Sequence, residues 1–182
     1  MVLAGRVLTV DNWFAKNAFA LSRIMEVLFG AAWAADASFK YQAAFVQGFS
    51  GAVSGAASGQ PAWMAGWFAF WSGMTSANPA LFAYTVAILE SLLAVSLIFG
   101  IARKIGYGGG FFLSLVIWSV PEGFGGPYGP SSTDIGTGII YAFVFIFLAI
   151  LNGLYGPSRY TIDYLIEERF PHWKSVAEIR RR

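Results

Sequence analysis

The stretch LSRIMEVLFG, residues 21–30, sets Arg23 and Glu26 inside an otherwise apolar run. The two are three residues apart, so a helix carries them on one face, and Gly30 and Trp33 continue that stripe. Two charges in an apolar segment make sense only if that side of the segment faces a bundle interior rather than lipid. What lies on its other sides follows from the rest of the chain.

Of the 182 residues, 57% are hydrophobic and 12% charged, and no Asp, Glu, Lys or Arg occurs between Tyr41 and Leu89. Soluble domains carry about 25% charged residues. Such a run cannot coat a water-facing surface, so an integral membrane protein of one compact domain, residues 1–182, is expected. There is no cysteine, and the single histidine, His172, lies in the polar tail. Thiolate metal sites, disulfides and a bis-histidine haem within the membrane are thereby excluded, and no metal is expected. A net charge of +2 is too small to suggest nucleic acid. The first sixteen residues have a short apolar run broken by Arg6 and Asp11, which argues for a retained first helix rather than a cleaved leader.

A spanning helix needs about 20 mostly apolar residues. Four segments qualify, at about 17–39, 79–101, 107–121 and 134–154. Pro79 suits a first helical turn, and SSTD (131–134) supplies capping residues, with Asp134 favourable at a helix N-terminus. Basic residues cluster at Arg6 and Lys16, at Arg103 and Lys104, and at Arg159, Arg169, Lys174 and Arg180 to Arg182, whereas the other two loops share only Lys40. By the positive-inside rule both termini are expected in the cytoplasm, across a plasma membrane.

The outer loop between the first two spans carries Gly51, Gly55 and Gly59 four apart, then Trp63, Trp67 and Trp71 at the same spacing. Small residues at that spacing allow close helix approach, and tryptophan favours the headgroup level. Two short helices lying at or dipping into the outer interface are expected; a docking surface for a second protein subunit, or an extra pair of spans, are the alternatives. After the fourth span, residues 156–173 read as a short amphipathic helix lying flat on the cytoplasmic surface. Tyr160, Tyr164 and Ile166 would face the apolar side there, and Asp163, Glu167, Glu168 and Arg169 the polar side. The fold class is therefore all-α: a four-helix membrane bundle with extra interfacial helices and a C-terminal amphipathic helix.

Counted from the ends of the expected spans, Arg23 lies about 9 Å, Glu26 about 13 Å and Glu90 about 16 Å deep from the same side. Ionised groups at such depth must face one another or a wet cavity. One arginine can neutralise one glutamate, and the surplus carboxylate becomes able to exchange a proton, which is useful beside a quinone. The alternative is an ion pair that only joins helices. A second group gathers at the outer side: Asp36 and Lys40 as an i, i+4 pair, Glu122 in PEGFGGPYGP, and Trp118, Phe124 and Tyr128 as aromatic walls. Lys40 there could receive a small anion, with Asp36, Glu122, Trp118 and Tyr128 around it; a helix-end ion pair is the plainer account.

Several motifs in order are similar to those of one family. RIMEVLFGAAWAADASFK resembles the opening of the DoxX family, as does a second span that starts at a proline, carries a glutamate and ends in GIARKIG. YGPSRYTIDYLI resembles that family's close, and WSVPEGFGGPYGPSSTDIGTGIIYAF is most similar to the DoxD branch. The resemblance implies a four-helix membrane subunit of a thiosulfate:quinone oxidoreductase that works with a second, small subunit. Arg23, Glu90 and Lys40 best match the family's polar positions. The proton chemistry is accordingly expected at Glu90, Glu26 and Arg23. A non-catalytic subunit of a larger respiratory or oxidase complex is the second reading, and a proton-coupled carrier, for which no inverted repeat appears, a distant third.

Overall fold

The structure, a computed structural model, describes residues 2–129, 132, 134–156 and 158–179, without the side chains of residues 2–9 and Asp11. The capping candidates Ser131 and Thr133, the side chain of Arg6 and the terminal Arg180 to Arg182 lie outside the described residues. Every regular element among the described residues is helical. Four long helices, α1 (Val2–Lys40), α4 (Pro79–Phe99), α5 (Arg103–Ser119) and α6 (Thr137–Tyr155), pack as α1 on α4 and α5 on α6, with α4 on α5 and α1 on α6 closing the set. A hairpin of α2 (Ala43–Gly55) and α3 (Ala65–Ala77) covers one end, and a tail with α7 (Ile162–Arg169) and α8 (Lys174–Ala177) covers the other.

Three of these helices are long and apolar enough to cross a membrane: Asn12–Lys40 within α1, Pro79–Phe99 and Thr137–Tyr155. The expected third span differs. Its helix begins four residues early, at Arg103 and Lys104, and stops at Ser119, ahead of Pro121. At 17 residues it falls short of the roughly 20 that a span needs. The fourth helix starts at Thr137, with Gly136 rather than Asp134 at the cap, and Asp134 instead accepts from the N–H groups of Ile135 and Gly136.

Packing explains the residue choices. On α1 the buried stripe is Arg23, Glu26, Gly30, Trp33 and Ala37, at alternating spacings of three and four. It meets the stripe Ala83, Ala87, Glu90, Ala94 and Leu97 on α4. A Cβ on Gly30 would stand 2.8 Å from Leu97 Cβ and 3.0 Å from the Ile98 nitrogen, so glycine is what allows this approach. α4 opens with Pro79 at its first turn and Asn78 Oδ1 accepting from Leu81 N at 3.1 Å. It closes at Gly100, whose φ of 63° is the left-handed conformation that glycine adopts freely. The core at the centre is aromatic: Phe29, Trp33, Tyr141 and Phe145 interlock with ring centroids 5.0–6.1 Å apart. Outside, Met25, Leu28, Leu81, Leu92, Phe143 and Phe147 are all exposed, a polarity opposite to that of a water-soluble bundle.

Two expected stripes break up in the hairpin. Gly51 and Gly55 sit on α2 with nothing within 4 Å of a Cβ placed there. Gly59 lies beyond the helix with φ +73°, packed on Pro127. Trp63 belongs to a separate 3₁₀ turn and is exposed. On α3 Trp71 is half-buried, while Trp67 stays exposed with its indole donating to Ser119 O at 2.9 Å. After Pro61 the chain opens as a 3₁₀ turn, Ala62–Met64, before α3 begins at Ala65, which shifts Trp63 out of line with the other two.

The tail departs from its expected polarity at two residues, while Glu168 and Arg169 stay exposed. Asp163 and Glu167 are buried against the bundle, while Tyr160, Leu165 and Phe170 are exposed. Burial of Asp163 has a clear cause. Its carboxylate accepts from Ala102 N (2.7 Å), Arg103 N (3.1 Å), Arg103 Nε (3.1 Å) and the Trp173 indole (2.7 Å). Ala102 has φ 51°, a strained value for a residue with a side chain, and the bond from its N–H to Asp163 holds it there. Asn152 anchors the far side of the tail, donating to Ala177 O and accepting from Ile179 N.

Candidate functional site

The three membrane-depth charges do not converge. Arg23 and Glu26 pair as expected, Nη1 to Oε2 at 2.8 Å. Arg23 then spends its remaining donors on backbone: Nη1 to Leu97 O (2.7 Å), Nη2 to Ile98 O (2.5 Å) and Nε to Tyr160 O (3.1 Å). It caps the last turn of α4, where carbonyls lack intrahelical partners and a cation is favoured by the helix dipole. The other Glu26 oxygen accepts from Tyr107 OH at 2.6 Å. Tyr107 was not singled out in the sequence; its position four residues after Arg103, on the same face of α5, is the signal that would have found it. A cavity of about 20 Å³ beside Arg23, Glu26, Arg103 and Tyr107 has room for one water. Arg103 Nη2, buried and without a partner, lies at this cavity's edge. No quinone ring fits there.

Glu90 belongs to the other end. Leu97 lies against Gly30, and Glu90 is seven residues, about 10 Å, further along α4, so it faces the end of α1 and not Arg23. Lys40 Nζ stands 3.0 Å from Glu90 Oε2 and 2.5 Å from Asp36 Oδ2. The sequence put Lys40 with Asp36 in one group and Glu90 in another; the structure joins all three. Glu90 is fully buried, and neither of its oxygens has a hydrogen bond of good geometry. One ammonium thus faces two carboxylates, of which Asp36 is half exposed.

Lys40 also borders an apolar pocket of about 130 Å³ between the hairpin, α4 and α5. Phe45, Phe49, Trp71, Phe82, Leu113 and Ile117 form most of its wall. Lys40 lies 5.7 Å from the Phe45 ring centroid, within cation–π range. The buried indole N–H of Trp71 has no partner. Trp71, read in the sequence only as part of a tryptophan stripe, and Thr75 enter the site through the hairpin's fold.

The remaining expected residues do not line this pocket. Glu122 Oε2 accepts from Gly138 N at 2.9 Å, placing a carboxylate at the N-terminus of α6. The Trp118 indole donates to Ile135 O at 2.8 Å, and Tyr128 OH donates to Phe124 O. All three secure the connection between α5 and α6. Glu122 Oε2, the Trp118 indole and the Tyr128 hydroxyl are thus bonded to backbone at this junction, and none of the three lines the pocket beside Lys40. Among the described residues no group of three or more His, Asp or Glu side chains is arranged to hold a metal ion.

Outside the long helices, Glu167 is buried in the tail beside Glu178. Burial first, then hydrogen bonding with Glu178 and the like charges of Glu178 and Asp163, push its carboxyl up to about 7, with Lys174 acting in the opposite sense.

No family model, curated protein or solved structure matches the chain.

Proposed function

We propose that the chain is the membrane subunit of an oxidoreductase and that it binds a quinone in the pocket beside Lys40 and Glu90. In this reading all four long helices form a plasma-membrane bundle, with the α2–α3 hairpin at the outer interface and both termini cytoplasmic. The observation that carries it is Glu90: a fully buried carboxylate, short of hydrogen bonds, one ammonium away from a ring-sized apolar pocket. A cavity of about 150 Å³ accepts a benzene ring, so the volume suits one six-membered ring. Phe45, Phe49 and Trp71 would hold the ring's faces and edge, while Lys40 and the Trp71 N–H would meet its oxygens. A quinone takes up protons when it is reduced. Glu90 and Asp36, sharing the Lys40 ammonium, are the groups of this chain able to pass them.

The reductant half of the reading stands differently. The family resemblance implies a sulfur oxyanion such as thiosulfate, yet Lys40, the cation expected to receive it, already faces two carboxylates. The proposal therefore gives this chain the quinone side and assigns the oxyanion to a partner subunit. The open glycines Gly51 and Gly55 on α2 favour a second reading, an accessory subunit that docks through the hairpin without chemistry of its own.

The test is calorimetric titration of the detergent-purified protein with a short-tailed quinone. Saturable binding that Val86→Trp abolishes by filling the pocket, with the helix content unchanged, supports the quinone reading. Absence of saturable binding by the folded wild-type protein overturns it and leaves the accessory reading.

A further inference from the structure

We infer that the outer edge of the C-terminal tail is a contact surface for an anionic lipid leaflet. This inference rests on the membrane reading above but not on the quinone. The tail sorts its residues in a way that a water-facing segment has no reason to adopt. Its carboxylates Asp163, Glu167 and Glu178 are buried, whereas Arg159, Arg169 and Lys174 are exposed, together with Lys104 from the start of α5. Against those four cations stands the exposed Glu168, so the outer edge carries a net charge of +3 among the described residues.

The same edge exposes large apolar side chains. Tyr160 is 75% exposed, Leu165 62% and Phe170 59%, and they continue the exposed Leu154 and Tyr155 at the end of α6. Between α7 and the turn that follows it runs an open groove lined by Ile166, Phe170, His172, Trp173, Ser175 and Val176. Aromatic rings flanked by Arg and Lys, adjoining the end of a membrane-length helix, match the headgroup region of a bilayer. The excess of exposed cations selects anionic lipid over neutral lipid, because basic residues at a surface are drawn to the negative potential of such a leaflet. The tail cannot turn this edge inward. Asp163 ties its start to residues 102 and 103, and Asn152 ties its end to α6.

The absence of cysteine from the chain makes the test direct. Leu165→Cys and, separately, Phe147→Cys are labelled with an environment-sensitive fluorophore. Each full-length protein is placed in nanodiscs of phosphatidylcholine alone or of an equal mixture with phosphatidylserine. The label at 165 is expected to shift to the blue and lose quenching by aqueous iodide in the mixed discs, with both effects reversed by high salt. A 165 label equally open to iodide in both discs overturns the inference, and so does one equally shielded in both. The label at 147, on the exposed mid-face of α6, separates the two levels of the argument. If it too is open to iodide, the membrane reading itself fails and the inference falls with it; if it is shielded while 165 stays open, only the tail contact fails.

Discussion

At the tail end of the bundle Arg23 donates to four acceptors and Asp163 accepts from four donors, with space left for one water. At the hairpin end Glu90 meets a single ammonium, both its oxygens lack a well-aligned donor, and an apolar pocket lies alongside. Both ends bury charge; the first bonds nearly all of it, with Arg103 Nη2 and Glu167 Oε1 left without partners, whereas at the second the Glu90 carboxylate has no hydrogen bond of good geometry. A fully bonded buried network fixes geometry, whereas an under-bonded one needs a reason to persist, such as a ligand or a proton. The more completely bonded charge cluster is the one with room for only a water beside it, and the less bonded one lies beside the larger apolar pocket.

Breaking the tail end gives the largest expected effect. Arg23→Ala leaves Glu26 Oε2 and three carbonyls without their donor and the Glu26 charge without its cation, and truncation of one partner in a buried pair costs about 3–5 kcal/mol. The melting temperature in detergent should fall sharply or the protein should fail to fold; an unchanged melting temperature would dissolve the contrast between the ends. Asp163→Asn keeps shape but removes the charge facing Arg103, at about 1–3 kcal/mol. Its effect should be local, with hydrogen exchange accelerating across residues 160–178 and the long helices unaltered.

Glu90→Gln sharpens the comparison from the other side. Lys40 retains Asp36, and the buried charge is gone, so the stability change should be within about 1 kcal/mol of zero. Quinone binding should weaken by at least about tenfold, roughly 1.4 kcal/mol. Unfolding as severe as that of Arg23→Ala would make both ends structural.

The smallest effect is on pH. The Glu167 carboxyl stands near 7 in the fold, against about 4.3 in an unfolded chain. Folding therefore favours its protonated form: the tail is most stable below the unfolded value and loses stability as pH rises through about 7. Exchange of tail amides relative to the intrinsic rate should increase from about pH 4.3 to about pH 7 and level off above it, and Glu167→Gln should flatten that increase.

Much of this contrast could be read from the chain, and the part that could not has a geometric cause. The stripe Arg23–Glu26–Gly30–Trp33 was legible because helical spacing fixes which residues share a face. The partner of Glu90 was not. The depths assumed that residue 17 at the start of the first span and residue 101 at the end of the second lie in one plane, but α1 runs from Val2, and Gly30 packs at the level of Leu97. That offset slides Glu90 away from Arg23 and up to Lys40. Glu122 and Trp118 were visible as residues at a bend, but which backbone groups they would hold depended on where α6 began, and that is set by Gly136 and Gly138 closing on Trp118. The burial of Asp163 was hidden because an amphipathic pattern tells two faces apart without saying which one faces the protein.

The reach of Arg23 has a consequence for the order in which the chain is made. Its acceptors on α4 lie 74 and 75 residues downstream, and its last acceptor, Tyr160 O, lies 137 downstream. During synthesis α1 emerges first, carrying an arginine whose only nearby counter-charge is Glu26. In a bilayer that leaves most of its donors unmet until α4 has been threaded and its final turn closed. The completed contact therefore reports assembly: Arg23 meets all these acceptors only once α1, the last turn of α4 and the chain after α6 have come together.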